Sequence, residues 1–179
     1  MTEKLAVIGM GQMGSAMAGR LRESNLDVVG FDISADQRAR LEKEGFRMAA
    51  SIAEALKDRS IVLTSLPDPK AVSEAWLGAG GIVASAAKGA LCIELSTIDP
   101  HTMRSVADAA HARGIAVVDC PVSGGPIEAR NGKLILIAGG GLLISANRRQ
   151  AAEITRLQQS ASADAAKGNT AADAANTGA

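Results

Sequence analysis

The sequence predicts an α/β protein in which helices cover both faces of a doubly wound, mainly parallel sheet. Three observations lead there. Short apolar runs alternate with longer stretches of helical period, the pattern of parallel strands joined by helical crossovers. A glycine pattern, Gly9-x-Gly11-x-x-Gly14, falls between the first run and the first helical stretch. Serine, aspartate, proline and glycine stand where the helices of such an arrangement would start and stop.

Strands are expected at 5–8, 28–31, 61–66, 91–95, 115–118 and 134–137. The first crossover helix is expected over 12–23, where Met13, Ala16, Met17 and Leu21 share one face. Ser34-Ala35-Asp36-Gln37 and Ser51-Ile52-Ala53-Glu54 fit the capping box, in which a serine hydroxyl and a carboxylate or amide three residues on satisfy orphan amides at a helix start. Gly45 ends the helix that Ser34 begins. Asp99-Pro100 opens a helix that runs to Arg113 and closes at Gly114, with proline at the first helical position, where its missing N–H costs nothing. Composition changes after Gly139-Gly140-Gly141. A further helix is expected within 142–159, starting near Ser145 and anchored by Ile154 and Leu157. From 160 to 179 every residue is Ala, Ser, Asp, Lys, Gly, Asn or Thr. Such a stretch cannot offset the roughly 1–2 kcal/mol per residue of backbone ordering entropy, and a disordered tail is expected. The expected division is one folded domain over 1–141, the helix, and the tail.

Composition narrows the function classes. A chain of 179 residues suits one domain, and with Phe31, Phe46 and Trp76 as its only aromatics the core must be aliphatic. Basic and acidic side chains balance at 19 each without a block of like charge, which argues against nucleic acid or a membrane surface as partner and for a small molecule. Cys92 and Cys120 form no Cys-x-x-Cys arrangement, so neither a disulfide framework nor a zinc site is signalled and a reducing cytoplasm fits. Inert packing is expected of both thiols. The run Leu5-Ala6-Val7-Ile8 is too short for a signal-peptide core, and no stretch approaches the ~20 apolar residues of a membrane span. A soluble, unprocessed protein is expected. His101 and His111 lie ten apart on one expected helix and lack the spacing of a metal pair, so solvated histidines and no metal are expected.

The chemistry concentrates at the glycine turn. Between a strand and a helix, Gly9 permits a tight turn, Gly11 leaves room for a pyrophosphate, and Gly14 lets the helix pack on the strand. Amides at the helix start, over Met10, Gln12 and Met13, would then face the anion along the helix dipole. The fold expected is therefore of the Rossmann, dinucleotide-binding type. Asp32 closes the second expected strand eighteen positions after Gly14, where a carboxylate can accept hydrogen bonds from ribose hydroxyls and repel a 2′-phosphate. NAD is expected ahead of NADP. The alternative for Asp32 is a local capping role beside Ser34.

Taken with Leu66-Pro67, Leu95-Ser96-Thr97-Ile98-Asp99-Pro100 and Asp119-Cys120-Pro121-Val122-Ser123-Gly124-Gly125, the glycine turn resembles the β-hydroxyacid dehydrogenases, the group typified by 3-hydroxyisobutyrate dehydrogenase. The resemblance covers residues 4–140, the N-terminal NAD(P)-binding domain of that family. It implies that Leu66 and Pro67 line the cofactor pocket and that Thr97 approaches the nicotinamide or its ribose. It implies too that Ser123, Gly124 and Gly125 grip a substrate carboxylate, a role that a turn with converging N–H donors and no Cβ suits chemically. The activity implied is hydride transfer between nicotinamide and a small 3-hydroxy acid or semialdehyde, with further copies of the chain as partners in a homo-oligomer.

This sequence departs from the family pattern at Glu128, where glycine is usual, at Lys133, where threonine is usual, and at Glu94, where aspartate is common. The family's glycine-rich helix with a catalytic lysine is not found after Gly141, and Lys167 is the only lysine in the right neighbourhood. Two readings stay open, a truncated dehydrogenase and an NAD-binding remnant or sensor domain without turnover.

Overall fold

The computed structural model describes residues 3–139. The helix expected within 142–159, the tail over 160–179 and Lys167 lie outside the described residues. Strand β1 (Lys4–Ile8) leads through α1 (Gln12–Glu23) to β2 (Asp27–Phe31), and α2 (Ala35–Lys43) and α3 (Ile52–Leu56) lead on to β3 (Ile61–Thr64). Helices α4 (Pro69–Leu77) and α5 (Ile82–Ser85) then precede β4 (Leu91–Glu94), and α6 (Pro100–Ala112) precedes β5 (Ala116–Asp119). These five strands form one parallel sheet in the order β2-β1-β3-β4-β5, with Leu5 opposite both Val28 and Ile61. The chain steps from β1 to one side and returns to the other, which makes the end of β1 the switch point where such sheets bind ligands.

Alternation along β1 divides the core. Leu5 and Val7 face α1 and α2 with Ala18, Val28 and Leu41, while Ala6 and Ile8 face the other layer with Val62, Cys92, Trp76, Ile82 and Val106. Helix α1 buries Gly14, Ala16, Met17 and Ala18, while Met13 and Leu21, expected on the same face as Ala16 and Met17, are half-buried. Ser34 and Ser51 are N-caps whose hydroxyls accept from the Gln37 and Glu54 amides at 3.2 and 3.1 Å. The reciprocal arms differ from the capping-box expectation: Glu54 turns back to the Ala50 N–H at 2.8 Å, and Gln37 reaches the Met10 carbonyl instead. Gly45 and Gly114 follow their helices at φ +82° and +69°.

The structure differs from the sequence reading at several strands. The third and fourth strands stop at Thr64 and Glu94, two and one residues early, and the fifth runs Ala116–Asp119. The run at 134–137 does not join the sheet. Its Ile135–Leu136 (β7) pairs antiparallel with Val122–Ser123 (β6), around the short helix α7 (Pro126–Arg130). The segment that follows β5 takes up its backbone instead: the Ile137 N–H donates to the Pro121 carbonyl at 2.9 Å and the Gly139 N–H to the Asp119 carbonyl at 2.7 Å. Its Ile135, Leu136 and Ile137 are 64, 56 and 55% exposed, so an apolar run that reads as a buried strand lies at the surface. Finally, Met48 bridges Gly30 in parallel, adding a rudimentary edge beside β2 that Phe46-Arg47-Met48-Ala49 does not announce by β-branched residues.

Candidate cofactor site

The ends of β1 and β2 open onto a cleft of about 740 Å³. The glycine turn and α1 supply Gly11, Gln12 and Ser15, the loop after β2 supplies Asp32 and Ser34, α2 and its C-cap supply Gln37, Arg40 and Glu44, and α7 supplies Pro126, Ile127 and Arg130.

The three glycines of the turn do different work. Gly9 lies at φ +87° and donates its N–H to the Phe31 carbonyl at 2.8 Å, and a Cβ there would overlap the Ser65 carbonyl oxygen and stand 2.8 Å from Leu66 Cδ2. At Gly14 a Cβ would overlap the Gly9 carbonyl oxygen. Packing within the protein demands both. Gly11 is the N-cap of α1 at φ −65° and ψ −160°, and a Cβ there meets nothing within 4 Å. The space it leaves belongs to the cleft, at the N-terminus of a twelve-residue helix, where amide dipoles favour an anion. That is the fit a pyrophosphate requires.

Asp32 braces this turn. Its Oδ2 accepts the Met10 N–H at 2.9 Å and its Oδ1 accepts the Ser34 N–H at 2.9 Å. Ser34, not Asp32, caps α2. A carboxylate offers about four acceptor positions, so two hydrogen bonds leave capacity for ribose hydroxyls on the cleft side. Met10 is fully buried against Gly30, and its carbonyl accepts Gln37 Nε2 at 2.6 Å. Arg38 donates to the Asp32 and Ile33 carbonyls at 2.6 and 3.1 Å and lies over the Phe31 ring, which fixes the loop after β2. Gln12 is exposed at the cleft and Met13 is half-buried among α1, β4 and β5 residues. Gln37, Arg40, Glu44 and Arg130 escaped the sequence reading as site residues; only Gln37 carried a signal, as the last residue of a capping box.

Leu66 and Pro67 follow β3, Thr97 follows β4, and both loops leave the same end of the sheet. Leu66 is half-buried, Pro67 and Thr97 are exposed. Beneath them lies Glu94, fully buried, whose Oε2 accepts the Trp76 indole N–H at 2.7 Å and whose Oε1 accepts the Ser96 N–H at 2.8 Å. Burial first and the Glu94 charge second push the Cys92 thiol up to about 12, and the same two causes raise the Asp119 carboxyl. Burial, then Asp119, raises the Cys120 thiol. Both cysteines are buried, so neither is an activated nucleophile.

Ser123 is exposed in β6, and Gly124 lies at φ +124°, a conformation that strains any side chain, with Leu134 Cδ2 2.9 Å from where a Cβ would stand. The Gly125 N–H is already engaged by Glu128 Oε2 at 2.8 Å. The Glu128 backbone amide and then the Gly125 amide hold that carboxyl below its ordinary range. One donor of the Ser123-Gly124-Gly125 turn is therefore occupied by a side chain of this chain's own. His101 and His111 are exposed. Among the described residues no cluster of three His, Cys, Asp or Glu could hold a metal, and no helix is long and apolar enough to cross a membrane.

A strand-to-helix glycine turn at the switch point of a parallel sheet, with an acidic residue ending the next strand, defines a dinucleotide-binding domain. The chain belongs to the family described as the NAD-binding domain of 6-phosphogluconate dehydrogenase, whose model matches residues 4–175. It is 38% identical over 136 residues to 3-hydroxyisobutyrate dehydrogenase of Pseudomonas aeruginosa, covering 76% of this chain and 46% of that protein. It is 36% identical over 137 residues to 3-sulfolactaldehyde reductase of Escherichia coli K12, covering 76% and 46%. Among solved structures, the 3-hydroxyisobutyrate dehydrogenase of Mycobacterium tuberculosis with L-serine superposes with a TM-score of 0.72 at 30% identity, covering 78% of this chain and 47% of that one. The chain thus spans less than half the length of each of these relatives.

Proposed function

We propose that the cleft binds NAD in preference to NADP and that the domain serves hydride transfer between nicotinamide and a small 3-hydroxy acid or semialdehyde. The observation that carries this reading is the open space beside Gly11, which the protein's own packing does not require. Gly11, Gln12 and Met13 meet the pyrophosphate at the start of α1. Gly9, Met10 and Gly14 shape the turn, the Gly9 N–H being spent on Phe31 and the Met10 N–H on Asp32 and not on the anion as expected. Asp32 takes the ribose, and Leu66, Pro67 and Thr97, outside the cleft lining, face the nicotinamide. Ser123, Gly124 and Gly125 orient a substrate carboxylate, which must compete with Glu128 for the Gly125 amide. The cofactor, once bound, supplies the redox step; this chain's residues bind and orient. Names of the relatives, among them a 3-hydroxyisobutyrate dehydrogenase and a 3-sulfolactaldehyde reductase, support the substrate class.

Calorimetric titration tests the cofactor reading, with tighter NADH than NADPH binding expected. In Asp32→Ser the ribose bonds and the brace on the Met10 amide are lost together, each bond to a charged group being worth roughly 1.5–3 kcal/mol. NADH affinity is expected to fall about tenfold or more, NADPH less, and the gap to narrow. Equal affinities in the unmodified protein would show that Asp32 serves the turn alone.

A second reading, cofactor binding without turnover, draws support from the occupied Gly125 amide. A hydroxyl can be oxidised efficiently only if a base lies within reach of its proton, and such groups contribute about 10²–10⁴ in rate. Lys167, the one lysine that the resemblance offers, is given no role. For the 179-residue chain, NADH production from 3-hydroxyisobutyrate, 3-hydroxypropionate or glycerate is expected to stay near background. Turnover of about one per second with any of them, still below the ~10 per second of a median enzyme, would reject this second reading in favour of the first.

A further inference from the structure

The two loops on the far side of the glycine turn share one support. The ladder between β3 and β4 ends with the Leu95 N–H on the Thr64 carbonyl at 3.0 Å, so the Leu66 N–H finds its acceptor on a side chain, the Ser96 hydroxyl at 2.8 Å. Ser96 is itself held by the Glu94 carboxylate through its N–H, and the other oxygen of Glu94 is tied to Trp76 on α4. Glu94 stands opposite Thr64 and Asp119 in the sheet, at the C-terminal end of β4, with no exposed surface. A carboxylate so placed carries a heavy desolvation cost, and core packing alone does not call for one. Its two acceptors are spent on a helix and on the residue that precedes Thr97 and holds Leu66. A fully satisfied buried network of this kind rigidifies what it touches, and a loop fixed before binding loses less freedom when it binds.

We propose that Glu94 is a positioning residue of the cofactor site, acting through Ser96 to fix the Leu66-Pro67 and Thr97 loops against the nicotinamide half of the cofactor. The proposal rests on reading the cleft as an NAD site and adds residues which that reading does not use. Glu94→Gln leaves one carbonyl oxygen for two N–H donors, so either Trp76 or Ser96 loses its partner. Ser96→Ala removes the acceptor of the Leu66 N–H and spares the bond between Glu94 and Trp76.

The test is calorimetry on the full chain and both variants with two probes, NADH and ADP-ribose, which lacks the nicotinamide. Each variant is expected to bind NADH about tenfold more weakly and ADP-ribose within about threefold of the unmodified chain, a differential that general loosening of the core would not produce. Equal losses for the two probes, or no loss for NADH, would overturn the proposal. Should Glu94→Gln fail to fold, Ser96→Ala decides alone by the same comparison. If the unmodified chain binds neither probe, the NAD reading fails and takes this proposal with it; if it binds both and the variants do not discriminate, only the proposal fails.

Discussion

Replacing Gly11 by valine is expected to leave the domain folded and to remove NADH binding. The two halves of that expectation come from one geometry. Gly11 has φ −65° and ψ −160°, extended values open to any L residue, and a Cβ built there meets no atom within 4 Å. Valine therefore fits the apo fold, and its stability cost is that of a poorer N-cap, about 1 kcal/mol, or roughly 2–4 °C in Tm for a domain of this size. The same isopropyl group fills the cleft before the first amides of α1, where the pyrophosphate needs close backbone approach. A loss of about 3 kcal/mol or more in binding corresponds to a Kd raised roughly a hundredfold. Calorimetry with NADH and a thermal melt on the same sample check both halves. Binding that survives within tenfold would place the pyrophosphate elsewhere.

The contrast between Gly11 and its neighbours also marks what the sequence can say about this site. Glycine spacing placed between a strand and a helix is a local pattern, and locality made it readable: Gly9 turns at φ +87°, Gly14 meets the Gly9 carbonyl within the same β-α unit, and Gly11 borders the open space beside it, although Gly9 is also confined by Ser65 from after β3. The five parallel strands and the caps at Ser34, Ser51 and Asp99 were legible for the same reason, since each depends on residues close in sequence. Helix α4 was missed although Asp68-Pro69 repeats the start signal of Asp99-Pro100. Ile135–Leu136 misled because an apolar run reports hydrophobicity and not which strand it pairs with. The bond from Ser96 to Leu66 spans 30 positions, that from Asp32 to Met10 spans 22, and that from Trp76 to Glu94 spans 18. No periodicity or spacing encodes those pairings. Glu128 was visible as an unusual residue at its position, yet only the fold shows its carboxylate on the Gly125 amide.

Alanine at Gly14 and alanine at Gly19 are expected to move stability in opposite directions, although both positions lie in α1. Intrinsic propensity favours alanine over glycine in a helix by about 1 kcal/mol, so the local contribution is stabilising at either site. At Gly19 the new Cβ meets only Phe46 Cζ, at 3.7 Å, an ordinary contact. The gain stands, and Tm should rise by about 2–4 °C. At Gly14 the Cβ overlaps the carbonyl oxygen of Gly9, and the N–H of that same peptide, that of Met10, is held by Asp32 Oδ2 at 2.9 Å. No side-chain rotation relieves a clash between backbone and Cβ, so α1 must lift away from β1, loosening the burial of Ala16, Met17 and Ala18. Overpacking costs typically 1–3 kcal/mol where side chains can adjust and more where they cannot, which exceeds the propensity gain. A net loss of about 2 kcal/mol or more is expected for Gly14→Ala, lowering Tm by roughly 4–8 °C or more. Urea or thermal unfolding of the two variants side by side measures the difference. If both rose together, helix α1 would not be seated on the glycine turn, and the close approach that shapes the cofactor cleft would have to be abandoned.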